Sequence, residues 1–216
     1  MRHTHHEPGY GVDLAKVHSF EGIYLANQVL NPEASGQGEP TQLQTVITFD
    51  QGGEWFAIMP PKTDVDGKPF KCVSQHSSTK CRLHLLFPQN KQGLYGVYSP
   101  ESSNGLVLAS GFVGPTDAPN DIGPAEVSLF MSRDAGHTWT EIRKGPHAYE
   151  VADHGALNAA AKFGSITNEI VFSWDQGLTW QSIMIPPAGL CPLLLYAPII
   201  LAVYWLSEHP HRYAVV

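Results

Sequence analysis

The stretch Thr48-Phe49-Asp50-Gln51-Gly52-Gly53-Glu54-Trp55 decides the fold, because the chain repeats it twice. It returns as Ser132-Arg133-Asp134-Ala135-Gly136-His137-Thr138-Trp139 and as Ser173-Trp174-Asp175-Gln176-Gly177-Leu178-Thr179-Trp180. A hydroxyl, an Asp, a Gly and a Trp keep the same offsets, while the seventh position is Glu54 in the first copy and Thr138 or Thr179 in the others. Each fixed residue has a physical task. The carboxylates of Asp50, Asp134 and Asp175 can accept hydrogen bonds from turn N–H groups, and Gly52, Gly136 and Gly177 can take φ > 0 without steric penalty. The phrase therefore predicts a hairpin turn of the Asp-box kind, in which Thr48, Ser132 and Ser173 are the repeated hydroxyl residues. A carboxylate engaged with turn amides is committed as an acceptor, so a structural role is preferred over acid–base chemistry.

Alternating apolar residues run into each turn: Val46, Ile47 and Phe49, then Val127, Leu129 and Met131, then Ile170 and Phe172. That period of two is a strand signal. Trp55, Trp139 and Trp180 are expected to open the next strand and to bury a large aromatic surface between neighbouring units. Trp139 and Trp180 lie 41 residues apart, and Trp55 and Trp139 lie 84 apart. These separations suit one and two units of a repeat about 42 residues long, the size of a four-stranded propeller blade. The expected fold is all-β, a partial β-propeller of about three four-stranded blades. Blades are expected over 12–60, 61–144 and 146–185, after a disordered segment over 1–11 and before a hydrophobic tail over 186–216. The run Ala156–Lys162 favours helix locally and is read as a strand only because the repeat requires one.

Composition agrees with such a fold and removes other classes. At 43% hydrophobic and 15% charged the chain can build a core, and 20 Gly with 17 Pro favour short strands and turns over long helices. Thirteen Lys and Arg against 20 Asp and Glu give a net charge of −7, and the basic residues are scattered, so nucleic acid is not an expected partner. The first residues lack the apolar core of a secretion signal. His3, His5 and His6 have no second cluster to complete a tetrahedral set, so no metal is expected. No phosphate-binding loop or Asn-x-Ser/Thr sequon occurs, and no cofactor is expected. Asp153 and His154 lack the Gly-x-Ser-x-Gly elbow that a nucleophilic triad of the hydrolase type would need. They read instead as a turn Asp beside a partly buried His.

Cys72 and Cys81 flank a polar loop without zinc-type spacing. A disulfide between them would constrain the unfolded chain by roughly 2.7 kcal/mol in the loop-entropy model, which matters only in an oxidising compartment. Two unpaired thiols are the alternative. Cys191 is left over.

With the boxes placed, the intervening segments resemble the sortilin family, the vacuolar-protein-sorting-ten domain of sorting receptors. The similar stretches are Val17–Tyr24, Thr45–Gly53, Cys72–Cys81 leading into Leu83-His84-Leu85, Gly105–Ala109, Gly145–Tyr149 and Asp153-His154-Gly155. The similarity covers about residues 10–185 and is nearest the SorLA and sortilin branches. It implies the C-terminal part of a ten-bladed propeller, in the luminal or extracellular portion of a type I membrane receptor at Golgi, endosome and cell surface. It also implies peptide or protein ligands, the remaining blades as structural partners, and no catalytic residues. The family's main peptide-anchoring blade and its cysteine-rich module are expected outside these residues, and the ligand-binding residues are unknown.

The tail departs from the family. Leu190–Leu206 is uncharged and, as a helix, would measure about 26 Å against roughly 30 Å of hydrocarbon, but Pro192 and Pro198 argue against a regular helix. Membrane contact through 190–206 is left open. Two other readings stand beside the receptor fragment. One is a truncated product without independent activity, whose open blade faces would expose apolar surface. The other is a sialidase-like glycosidase, which needs an arginine cluster to clamp a substrate carboxylate. The arginines here are only Arg2, Arg82, Arg133, Arg143 and Arg212, so that reading is the weakest.

Overall fold

The computed structural model describes residues 4, 6–7, 11–70, 81–87, 95–116, 123, 126–164 and 167–184. Two short strands, β1 (His6–Glu7) and β2 (Gly11–Val12), pair antiparallel near the start. Sheet one follows, with β3 (Leu14–Lys16), β4 (Tyr24–Val29), β5 (Leu43–Thr48) and β6 (Phe56–Ala57). Sheet two has β7 (Cys81–Leu85), β8 (Val107–Pro115), β9 (Ser128–Ser132) and β10 (Thr140–Lys144). Sheet three has β11 (His147–Ala152), β12 (Leu157–Lys162), β13 (Glu169–Ser173) and β14 (Gln181–Met184). Strands neighbour each other in chain order within every sheet, and all pairs are antiparallel. One five-residue helix, α1 (Pro32–Gly36), joins β4 to β5. The chain is thus all-β, and its three four-stranded meanders are those of a partial propeller.

One difference from the sequence expectation concerns the start. Within the segment expected to be disordered, His6 lies opposite Val12 in the first ribbon, and Thr4 bridges Gln28 of β4. The open N–H and C=O groups of a strand edge favour such pairing. The tail over 186–216, with the candidate membrane run, lies outside the described residues. Among the described residues no helix is long and apolar enough to cross a membrane.

Strand β12 shows a ladder overriding local preference. Alanine is the best helix former, yet every residue of Leu157–Lys162 pairs with β11, and Asn158–Ala161 pair with β13 as well. Ala159 and Ala160 are fully buried, so contacts on both sides of a central strand decide the conformation.

The chain divides into two compact units, Met1–Pro146 with sheets one and two, and His147–Val216 with sheet three. In the first unit the period of two sorts the core. Leu25 and Ile47 lie opposite each other in sheet one and point to the same side. They join a buried cluster with Leu83, Leu85, Val107, Ala109, Phe130 and Trp139 of sheet two. A polar chain crosses the same contact. Thr45 Oγ1 donates to Asn27 Oδ1 at 2.7 Å and accepts from the Leu85 N–H at 2.9 Å. Asn27 Nδ2 donates to Asp13 Oδ2 at 3.0 Å and to the Leu85 carbonyl at 3.3 Å. Both backbone groups at the end of β7 are therefore satisfied by side chains of sheet one.

The linker between these sheets is pinned as well. Thr63 and Pro69 bridge across a tight turn, in which Asp64 Oδ1 accepts from the N–H groups of Asp66 and Lys68 at 3.0 and 2.8 Å. The Val65 N–H donates to Glu141 Oε2 at 2.8 Å, and Lys144 Nζ donates to Asp64 Oδ2 at 2.8 Å and to Asp66 Oδ2 at 2.5 Å. The Lys144 hydrogen bond holds the Asp64 carboxyl below its ordinary range, and the two aspartates raise the Lys144 ammonium. Linker and final strand of sheet two are thus clasped together.

Candidate functional site

The repeated phrase forms the hairpin between the third and fourth strands of every sheet. In each case the third strand ends on the hydroxyl residue (Thr48, Ser132 or Ser173) and the fourth begins one residue after the tryptophan. The indole therefore closes the loop and does not open the next strand. It folds back on the turn: Trp55, Trp139 and Trp180 donate from Nε1 to the carbonyls of Gly52, Gly136 and Gly177 at 3.1, 3.1 and 3.2 Å.

The hydroxyl stands at the centre of each hairpin. Thr48 Oγ1, Ser132 Oγ and Ser173 Oγ donate to Asp50, Asp134 and Asp175 Oδ1 at 2.8, 2.8 and 2.7 Å. The same oxygens accept from the N–H groups of Gly52, Gly136 and Gly177 at 2.9, 2.8 and 2.8 Å. The carboxylate then accepts from the seventh residue. Where that residue is threonine it donates twice: Thr138 and Thr179 each give their N–H to Oδ1 at 2.8 Å and their hydroxyl to Oδ2 at 2.6 Å. In the first hairpin the Glu54 N–H is shared between the two oxygens of Asp50 at 2.9 and 3.1 Å.

These bonds set the acidity of the three carboxyls. Burial pushes Asp134 and Asp175 up, but the hydroxyl and N–H of the following threonine and the box serine outweigh it, so both are lowered, Asp175 to about 2. Asp50 is lowered chiefly by the Glu54 N–H and the Thr48 hydroxyl. All three are acceptors for their own turns.

Some features were not anticipated from the sequence. The fourth residue of each box also has positive φ (Gln51 63°, Ala135 58°, Gln176 58°), directly before the glycine at 97°, 96° and 80°. Two consecutive left-handed residues are what a type I′ hairpin turn requires. The N–H of this fourth residue donates to the corner before the second strand of its own sheet: Gln51 to Gly22 O at 2.9 Å, Ala135 to Gly105 O at 2.9 Å, Gln176 to Ala156 O at 3.2 Å. A signal for that corner was present, since each acceptor is followed by Ile23, Leu106 or Leu157 and then, three residues on, by a fully buried alanine, Ala26, Ala109 or Ala160. Phe49 of the first box stacks on His137 of the second with ring centroids 4.0 Å apart. Trp139 is 5% exposed within the core of the first unit, whereas Trp55 is only part-buried.

Asp153-His154-Gly155 forms a left-handed turn between β11 and β12, with φ of 50°, 53° and 95°, closed by the Ala156 N–H donating to the Asp153 carbonyl at 2.9 Å. His154 is exposed there, not partly buried. Cys81, at the head of β7, is disulfide-bonded, and Cys72 lies outside the described residues, as do His3 and His5. Among the described residues no group of three or more His, Cys, Asp or Glu side chains is arranged to hold a metal ion.

Three meanders with the same acidic hairpin define the class, a box-bearing partial propeller. A family model described as sortilin, neurotensin receptor 3, matches residues 1–193, and the chain belongs to this Sortilin-Vps10 family. It is 40% identical over 174 residues to an uncharacterized membrane glycoprotein of Saccharomyces cerevisiae, covering 80% of this chain and 15% of that protein. It is 38% identical over 174 residues to the vacuolar protein sorting/targeting protein PEP1 of Saccharomyces cerevisiae, covering 80% of this chain and 11% of that protein. To the vacuolar protein sorting/targeting protein 10 of Trichophyton verrucosum it is 38% identical over 171 residues, with shares of 78% and 11%. The chain thus spans a small part of the length of these relatives.

Proposed function

We propose that the chain is a segment of the luminal or extracellular part of a sorting receptor, contributing blades 12–60, 61–144 and 146–185 to a surface that binds peptide or protein cargo moved between Golgi, endosome and cell surface. The observation that carries this reading is the recurrence of one hairpin geometry at the same place in three sheets, in a chain of the Sortilin-Vps10 family. The box residues act as pins of the blade hairpins, leaving cargo contact to other surfaces. Cys72 and Cys81 form one disulfide, which suits an oxidising lumen. The chain performs no catalysis, because its box carboxylates are occupied by turn donors and no arginine clamp accompanies them among the described residues. Turnover of a fluorogenic sialoside by the purified protein would overturn that last point.

A chimera tests the receptor reading. The aligned segment of yeast PEP1 is replaced by residues 12–184 of this chain, and escape of vacuolar proteins into the medium is measured. The expected result is retained sorting, lost again on Asp134→Ala. Full escape from a chimera that is made at normal abundance would refute the proposal.

A further inference from the structure

Asn104-Gly105 is the one Asn-Gly dipeptide in the chain, and it stands at a corner that the second box needs. Asn104 is exposed, whereas Gly105 beside it is buried. The Gly105 carbonyl accepts from the Ala135 N–H at 2.9 Å, the bond that ties the second hairpin to the entry of β8. Gly105 has φ of 74°, and a Cβ on it would stand 3.2 Å from Ala135 N and 3.3 Å from Phe20 Cε2. A side chain there would be both strained and crowded, so the corner calls for glycine. The fold thereby places after Asn104 the residue that screens its side-chain amide least from the next backbone nitrogen.

Attack by that nitrogen is a balanced reaction with water alone. The Gly105 nitrogen loses its proton and bonds to Asn104 Cγ, the bond from Cγ to the side-chain nitrogen breaks, and ammonia leaves. Water then opens the cyclic imide at either carbonyl. Opening at Cγ gives aspartate, and opening at the main-chain carbonyl gives isoaspartate, whose backbone is longer by a methylene. In the folded chain the nucleophile is engaged elsewhere. The Gly105 N–H donates to Ser19 Oγ at 3.0 Å, in the turn between β3 and β4, and Phe20 of the same turn lies over Gly105. On the other side of Asn104, Ser103 is fully buried and donates from Oγ to the Pro100 carbonyl at 2.9 Å. The backbone is thus held on both sides of the exposed amide.

We propose that Asn104 is a site of spontaneous deamidation, and that the Ser19 hydroxyl restrains the reaction by holding the attacking nitrogen. Each event adds a negative charge at the corner. The isoaspartyl product also lengthens the main chain directly before Gly105 and so displaces the carbonyl that holds the Ala135 N–H. The second hairpin is therefore the part of the protein that ages first. None of this depends on what the chain binds.

The test follows the purified 216-residue chain during incubation in mildly alkaline buffer, with conversion at each asparagine read by peptide mass spectrometry. Asn104 is expected to convert faster than every other asparagine, yet roughly tenfold slower than in the same chain unfolded in urea, because the Ser19 bond must first open. Ser19→Ala is expected to speed conversion at Asn104 by roughly fivefold while the other asparagines keep their rates, and Ser19→Thr to preserve the slow rate. An Asn104 no faster than the other asparagines, or a rate indifferent to Ser19→Ala in a folded protein, would overturn the proposal. If Ser19→Ala does not fold, the natural chain decides: equal rates in the folded and unfolded states would mean that nothing restrains the nitrogen. The consequence is checked by amide exchange at Ala135, expected to be roughly tenfold faster in the isoaspartyl product and unchanged in Asn104→Asp, which adds the charge without the methylene. Unaltered exchange in the isoaspartyl form would refute the loosening of the second hairpin.

Discussion

Ser132 Oγ shows how much rests on one atom: it donates to Asp134 and accepts from Gly136 N–H while almost fully buried. The first hairpin lacks a donor that the other two possess, because Glu54 offers no hydroxyl to Asp50 Oδ2. Glu54→Thr is expected to supply it and to stabilise the protein. Urea unfolding measures the gain, and no change would mean that the second threonine bond is energetically idle. Acid sensitivity follows from the same contacts. The Asp175 carboxyl falls from an ordinary 3.8 to about 2 on folding. A depressed acid pKa contributes stability that is complete above the unfolded value and lost as pH falls through the folded one. The third hairpin is therefore expected to hold at pH 4 and to loosen between about pH 4 and 2. Carboxyl NMR titration of Asp175 checks the window; a midpoint near 4 would contradict it.

Strands sit as close together as their smallest residues allow. Gly111 in β8 faces Leu85 in β7, and a Cβ there would lie 2.4 Å from the His84 carbonyl. Gly111→Ala is expected to force these strands apart and to cost about 1–3 kcal/mol, read as a lowered denaturant midpoint; a neutral result would show that the pair can slide. The third and fourth strands and their turn were legible from the sequence, since alternation, the Asp and the Gly all act within eight residues. The placement of the indole was not. Whether Trp139 opens a strand or folds back depends on the Gly136 carbonyl within reach of its Nε1, and no local pattern encodes that. The left-handed Gln51, Ala135 and Gln176 were equally hidden, because their conformation is imposed by the hydrogen bond to a corner of the sheet. Strand β12 was readable only through the repeat, its alanines pointing the other way.

At the scale of the molecule, sheets one and two form one unit held by both apolar and polar contacts. Thr45→Val keeps the shape but strips the Leu85 N–H and Asn27 Oδ1 of a partner. The expected loss is about 1–3 kcal/mol, seen as faster amide exchange at Leu85, and unaltered protection there would mean that the polar chain is dispensable. Apolar surface exposed by the protein alone is a separate question: strong binding of a hydrophobic dye by the purified chain would favour a product without independent activity, and compact behaviour would argue against it. The clasp of Asp64 and Asp66 by Lys144 has a further consequence for biosynthesis. Its halves are separated by 80 and 78 residues, so on a ribosome adding about 5–20 residues per second the acidic turn emerges several seconds before its lysine. During that interval the nascent linker has no latch, and sheet two can be locked only after its last strand has been synthesised.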